Sequence, residues 1–297
     1  MDQSFETPTQ GQTFQSDLSQ LTRRGFIVAS AATLASCRAA PPLSSIAPIS
    51  PVKPPPNREY RTPPVQSPAL RNQDANFSND FSKDAGITFS RVQVSGQYIA
   101  ISFDDGPHPQ NTPRLLDILA QRNVKATFYV IGRSVDLHPG VLRRTVAEGH
   151  EIGNHSHTHR LLSKLSDAEV RQEMQRCQDA VGRAAGVRPR TMRPPYGGLL
   201  QRQRELVHNE FGYPTVLWSV DPLDWKRPGP SVVKSRILAG TTAGSIVLAH
   251  DLHAPTVDAM PATIDGLLER GFKFVTVSQL IAMKVSTNAQ ASVAPAS

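Results

Sequence analysis

Cysteine is scarce in this chain, with only Cys37 and Cys177 among 297 residues. A disulfide framework is therefore excluded as its organising principle. Aromatic residues are few, at 6%, and no Lys/Arg cluster is interleaved with them. The net charge of +7 lacks the footprint of a nucleic-acid binder, and none is expected as a partner. No uninterrupted apolar run approaches the ~18 residues of a spanning helix, which argues against a multi-span membrane protein. Collagen and coiled coil are excluded by composition. What remains is a chain 39% hydrophobic and 19% charged, long enough to bury a sizeable core without staples.

The first 37 residues read as an address. Arg23-Arg24 stand just before the apolar run Phe26 to Ala35, which is too short to span a bilayer and suits the apolar part of an export signal. The arginine pair resembles a twin-arginine signal. The run ends in Leu34-Ala35-Ser36-Cys37, similar to a lipobox, in which Cys37 is acylated and becomes the first mature residue. The expectation is export, with the protein held at the membrane through a lipid anchor at Cys37 and facing the periplasm or cell wall. An ordinary cleaved signal is the alternative. Residues 38–85 follow as a tether. Ten of the 25 prolines fall within 38–75, and such a segment is stiff, extended and coreless. Residues 285–297 are Ala/Ser/Thr-rich and read as a disordered tail.

Residues 86–284 alternate strand and helix patterns. Strands are expected at 98–103, 126–131, 150–154, from 191, 213–220, 245–249 and 272–277. Helices are expected at 112–121, with Thr112 as N-cap, at 139–148, at 166–185 and near 200–211, 231–239 and 256–270. Ser166 with Glu169 three residues on is a capping-box pair. Val170, Met174, Cys177, Val181 and Ala184 recur on one helical face, so Cys177 reads as a small core residue. The βα order calls for a parallel sheet, because parallel neighbours need crossovers. About seven parallel strands in ~195 residues are few for a full eight-fold barrel. The predicted class is α/β, an incomplete or distorted (β/α) barrel.

Polar clusters follow strand after strand: Asp104-Asp105-Gly106-Pro107, His155-Ser156-His157-Thr158-His159, Arg193-Pro194-Pro195-Tyr196-Gly197, Asp221-Pro222-Leu223-Asp224-Trp225 and His250-Asp251-Leu252-His253. In a parallel barrel these ends share one rim, where active sites are built. His155 and His159, four apart on a helical turn, project to one side. With one carboxylate they make a His₂-carboxylate set suited to catalytic Zn²⁺, and also open to Co²⁺, Ni²⁺, Fe²⁺ or Mn²⁺. Asp104 and Asp105, adjacent in extended backbone, point opposite ways, so one can bind metal while the other stays free as a base. Trp218 reads as core.

Together the five clusters, Ser-Phe-Asp-Asp-Gly-Pro (102–107), His-Ser-His-Thr-His (155–159), Arg-Pro-Pro-Tyr-Gly (193–197), Asp-Pro-Leu-Asp-Trp (221–225) and Leu-Ala-His (248–250), resemble in order the motifs of the polysaccharide deacetylases, the NodB-homology family of carbohydrate esterases. The resemblance covers about residues 95–280. Ser102 stands where Thr is commoner. The resemblance implies that Asp105, His155 and His159 hold one divalent metal, that Asp104 is the general base and His250 the general acid, and that the backbone N–H of Tyr196 stabilises the oxyanion. It implies that Arg193 holds Asp104, that Asp224 holds His250, and that Trp225 and Leu248 line the pocket for the sugar face and acetyl methyl. His253 is left outside the catalytic set. The implied activity is N-deacetylation of an acetylated polysaccharide containing N-acetylglucosamine, peptidoglycan foremost, by a monomer. Chitin oligosaccharides, poly-N-acetylglucosamine and O-acetyl esters are the alternative substrates. A non-catalytic glycan-binding lipoprotein is the competing class, and the intact Asp104, His250 and metal set argue against it.

Overall fold

The computed structural model describes residues 86–285. The expected signal with Cys37, the tether and the tail beyond residue 285 lie outside the described residues. The elements in chain order are β1 (Thr88–Phe89), β2 (Tyr98–Asp104), α1 (Asn111–Gln121), β3 (Thr127–Val130), α2 (Gly132–Leu137), α3 (Pro139–Ala147), β4 (Glu151–Asn154), α4 (Asp167–Ala185), α5 (Gln201–Phe211), β5 (Thr215–Val216), α6 (Pro230–Gly240), β6 (Ile246–His250), α7 (Ala254–Glu269), β7 (Lys273–Phe274) and α8 (Val277–Ala282). Every strand ladder is parallel. The order β4-β3-β2-β6 forms the main sheet, and β7 joins the start of β2.

Strand was expected from residue 191 and over 213–220. Met192 makes only single-residue bridges, to Asn154 and to Thr215, and Val220 bridges Val247, all parallel. These bridges continue the pairing from β4 round to β6. Regular ladders fail here because Pro189, Pro194, Pro195 and Pro214 flank the pairing residues, and proline has no N–H to donate. The result is an α/β fold with an incomplete barrel, as expected.

Alternation along β2 sorts its side chains. Ile99, Ile101 and Phe103 join the core between sheet and helices, with Leu115, Leu119, Ile237 and Ile264. Ala100 joins the inner cluster with Tyr129, Val216 and Ile246, so Ser102 and Asp104, of the same parity, face the barrel interior. The helix α8, not anticipated from sequence, adds Val277, Leu280 and Ile281 to that inner cluster. Its N-terminus is docked on the first residues of β3 and β4: Val277 N donates to Thr127 Oγ1 at 2.9 Å and Ser278 N to Glu151 Oε2 at 2.9 Å. This closes the end where strands start. The Thr276–Gln279 capping box begins the helix and cuts short the strand expected to Val277.

Ser166 caps α4 through a complete capping box, and Cys177 is fully buried, both as expected. Thr112 is not the cap of α1; the helix begins one residue earlier. Its hydroxyl instead accepts from His108 N at 2.7 Å and donates to Asp251. No helix among the described residues is long and apolar enough to cross a membrane.

Candidate active site

Register places the polar clusters together at the open end. Asp104, the last residue of β2, pairs with Tyr129 on β3 and His250 on β6. His155 N continues the ladder past β4 by donating to Val130 O at 3.0 Å, and Arg193 N donates to Asn154 O at 3.0 Å.

Asp105 leaves the sheet in left-handed backbone, at φ 76. The opposite orientation expected for two adjacent extended residues therefore does not hold. Asp105 Oδ1 lies 3.4 Å and Asp104 Oδ2 lies 3.7 Å from the same atom, His155 Nε2. The helical turn expected for residues 155–159 is also absent. Ser156 and His159 adopt φ 64 and 59, and this irregular loop still turns His159 Nε2 to within 3.1 Å of Asp105 Oδ1. The two imidazole centroids are 5.0 Å apart.

Asp105, His155 and His159 can each offer one ligand atom within 4.8 Å of the others. His155 Nδ1 donates to Arg193 O at 2.7 Å, which leaves Nε2 of the neutral ring with its lone pair free. Asp105 Oδ1 is buried without a hydrogen-bond partner. Converging lone pairs around an orphaned carboxylate oxygen fit a divalent cation, and a two-imidazole, one-carboxylate set leaves coordination positions open.

Arg193 lies beneath this cluster, with no exposed surface. Its Nη1 donates to Asp104 Oδ1 at 2.7 Å and to Ser102 Oγ at 2.8 Å. Nε and Nη2 donate to the carbonyls of Val216 and Leu217 at 3.3 and 3.1 Å. The guanidinium carbon sits 4.2 Å from the centre of the Tyr129 ring, a cation–π contact in a desolvated place. A buried charge is tolerated only when so satisfied.

His250 has its own partner. Its Nδ1 is 2.8 Å from Asp224 Oδ1 and its backbone N donates to Oδ2 at 2.8 Å. Thr256 Oγ1 also donates to Oδ2 at 2.8 Å. Burial works against the imidazolium, but Asp224 outweighs it, with help from Asp104 and Asp105, and raises the His250 pKa to about 9. Burial likewise opposes ionisation of Asp224, yet its bonds with His250 and Thr256 hold its pKa below the usual carboxylate value.

At the rim, Tyr196 is 72% exposed and its ring stands edge-on to His159, with centroids 4.8 Å apart. Trp225 is half exposed, with Lys226 Nζ 4.9 Å from its ring centre. Leu248 is buried, of inward parity and in register with Ser102, below His250. His253 lies 6.2 Å from His250 ring to ring. Trp218 is not core: it is half-buried, 5.8 Å from the Arg193 guanidinium. The ribbon is not a regular strand at that point.

Three supporting groups escaped the sequence reading. The Ser102 hydroxyl bridges Arg193 and Val247 O, and its position two before Asp104 on one strand face is the signal that would have found it. Tyr129 and Thr256 carried no such signal. Asp251, fully buried behind Gly106, has its pKa raised to about 7 chiefly by that burial.

The sequence model of the family described as polysaccharide deacetylase matches residues 91–216. A peptidoglycan-N-acetylglucosamine deacetylase of Listeria monocytogenes is 43% identical over 192 residues, covering 65% of this chain and 40% of the relative. The chain thus spans about 40% of the length of that curated relative. A chitooligosaccharide deacetylase of a Bradyrhizobium strain is 42% identical, covering 63% of this chain and 92% of the relative. The solved structure described as T48 deacetylase with substrate is similar at a TM-score of 0.61 and 40% identity, over 64% of this chain and 92% of that one.

The Asp224–His250 pair carries a pH signature. The His250 pKa is raised in the folded state, so its share of stability is full below about 6.5 and is lost as pH climbs towards 9. Asp224 is depressed, so its share is present above about 3.8 and lost in acid. In metal-free protein, the stability gap between the unaltered chain and Asp224→Asn is expected to be widest between those limits and to shrink from pH 6.5 to 9. Urea titrations across that range check it; a gap that stays constant would refute the pairing.

Proposed function

The chain belongs to the polysaccharide deacetylase family, and from that premise we propose that it hydrolyses N-acetyl groups from N-acetylglucosamine residues of peptidoglycan. The observation that carries this reading is the division of labour between adjacent carboxylates. Asp105 faces the two histidines, while Asp104 is held through Oδ1 by Arg193 at 2.7 Å.

Asp105, His155 and His159 would hold the metal, and Zn²⁺ suits that donor set best, with Co²⁺, Ni²⁺, Fe²⁺ and Mn²⁺ as alternatives. When bound, such an ion polarises a carbonyl and lowers the pKa of water. Asp104, oriented by Arg193, takes the proton from the attacking water. The Tyr196 backbone N–H donates to the acetyl carbonyl oxygen as negative charge develops on it. His250, kept protonated by Asp224, gives its proton to the leaving amine nitrogen as the C–N bond breaks. Acetate and a free amine result. Trp225 offers its exposed face to a sugar ring, and Leu248 backs the acetyl methyl.

The choice of peptidoglycan draws on the name of the Listeria relative and on the export features of the N-terminal sequence. Chitin oligosaccharides, poly-N-acetylglucosamine and O-acetyl esters remain the competing substrates. Acetate release from peptidoglycan and from N-acetylglucosamine oligomers, metal-free and with Zn²⁺ restored, tests the reading. Asp104→Asn is expected to cut turnover on the order of 10³-fold while metal content stays near one equivalent. Loss of the metal in that variant would mean the two aspartates are reversed. No acetate from any of these substrates by the metal-loaded chain would favour a glycan-binding protein.

We further propose that Cys37 is acylated and that residues 38–85 tether a monomeric domain, residues 86–284, to the envelope membrane. Metabolic labelling with a fatty-acid probe is expected to mark the unaltered chain and to be lost in Cys37→Ser. Equal labelling of both would contradict it.

A further inference from the structure

A carboxylate in the buried stripe of α4 has no part in the chemistry above. Glu173 is only 5% exposed and lies beside Val170, Met174 and Cys177 on the inward face of the helix. Placing an acid there costs several kcal/mol unless it is fully hydrogen-bonded. Among the described residues no lysine, arginine or histidine forms an ion pair with it.

Its partners all belong to the three residues between His155 and His159. Glu173 Oε2 accepts from His157 N at 2.9 Å and from Thr158 N at 2.7 Å. Oε1 accepts from the Thr158 hydroxyl at 2.6 Å. The neighbouring donors are satisfied inside the loop: Ser156 N by Asn154 Oδ1 at 2.9 Å and His159 N by Ser156 Oγ at 3.0 Å. With Glu173 the loop's N–H inventory closes, as buried backbone requires. The loop needs such support, because Ser156 and His159 are both left-handed, and each such residue costs of order 1–3 kcal/mol.

The two histidines depend on this loop unequally. His155 is held independently, by its ladder bond to Val130 O and by Nδ1 on Arg193 O. His159 has no hydrogen bond to its Nδ1 among the described residues, and its ring is partly exposed. Its placement follows from the loop backbone. We propose that Glu173 is a positioning residue for metal binding, acting through His159: by gripping His157 and Thr158 it sets where His159 Nε2 stands relative to Asp105 and His155.

This inference rests on the assignment of Asp105, His155 and His159 as the metal site. Its test is metal affinity and ligand geometry rather than turnover. Zn²⁺ and Co²⁺ dissociation constants, by competition with a chelator, and the visible d–d spectrum of the Co²⁺ form are measured for the full chain and its variants. Glu173→Ala is expected to weaken both metals by about 10- to 100-fold and to alter the Co²⁺ spectrum. Glu173→Gln, which keeps an acceptor for the two N–H groups and a partner for the Thr158 hydroxyl, is expected to rescue most of the affinity. Glu173→Asp, whose oxygens are withdrawn by one methylene, is expected to fall between them and serves if Glu173→Ala does not fold. In a cycle with His159→Ala the losses are expected to be strongly non-additive, the double variant binding about as weakly as His159→Ala alone. An unchanged affinity and spectrum in Glu173→Ala or Glu173→Asp, or additive losses in the cycle, would overturn the proposal. Failure of the unaltered chain to bind one equivalent would instead overturn the metal assignment beneath it.

Discussion

The ion pair between Arg193 and Asp104 is the interaction on which the site depends. A guanidinium with no exposed surface is held inside the barrel by two carbonyls, a serine hydroxyl and an aromatic face, and it spends its shortest side-chain bond on one oxygen of Asp104. Replacing such a pair with apolar groups is often neutral for stability, so stability alone does not account for it. What it does is hold one of two adjacent carboxylates. The same residue, through its carbonyl, sets the tautomer of His155. The proposed base, Asp104, and the proposed metal ligand, His155, are thus oriented from opposite ends of a single arginine.

The second constraint is backbone strain at the rim. Seven non-glycine residues among those described have positive φ, and six of them, all but Asn123, lie in or just after the polar loops: Asp105, Ser156, His159, Tyr196, Leu223 and Arg227. Such residues persist only where their surroundings over-determine them. Here the surroundings are side-chain acceptors: Asn154 at the end of β4 and Glu173 on α4 for the histidine loop, and Asp221 of the same loop for Leu223. The closed end of the barrel, plugged by α8, bears the packing, and the open end bears the strain.

This contrast also explains what could be read in advance. Inward and outward faces of β2 follow from period-two alternation, and the long helix α4 from its apolar stripe and capping box. The convergence of Asp104, His155, Arg193, Asp224 and His250 on one rim follows from parallel strands ending together. What escaped depended on non-local facts. Extended geometry for Asp104-Asp105 and a helical turn for His155–His159 were reasonable local defaults, and both lost to left-handed residues stabilised from elsewhere. Strand pairing around Met192 and Thr215 was shortened by flanking prolines. Trp218 read as core but rests beside Arg193, because the ribbon there is no longer regular. The burial of Arg193 and Glu173 has no signature in a single sequence, since each is compensated by partners from other elements.

The metal is predicted to go to Asp105 and the two histidines while Asp104 stays free of it. X-ray absorption at the zinc edge of the Zn²⁺-loaded chain, compared with Asp105→Asn and Asp104→Asn, addresses this directly. Two imidazole nitrogens and a carboxylate oxygen are predicted in the unaltered chain. Asp104→Asn should leave that spectrum unchanged, and Asp105→Asn should change it or lose the metal. A zinc environment that responds to Asp104→Asn and not to Asp105→Asn would refute that assignment.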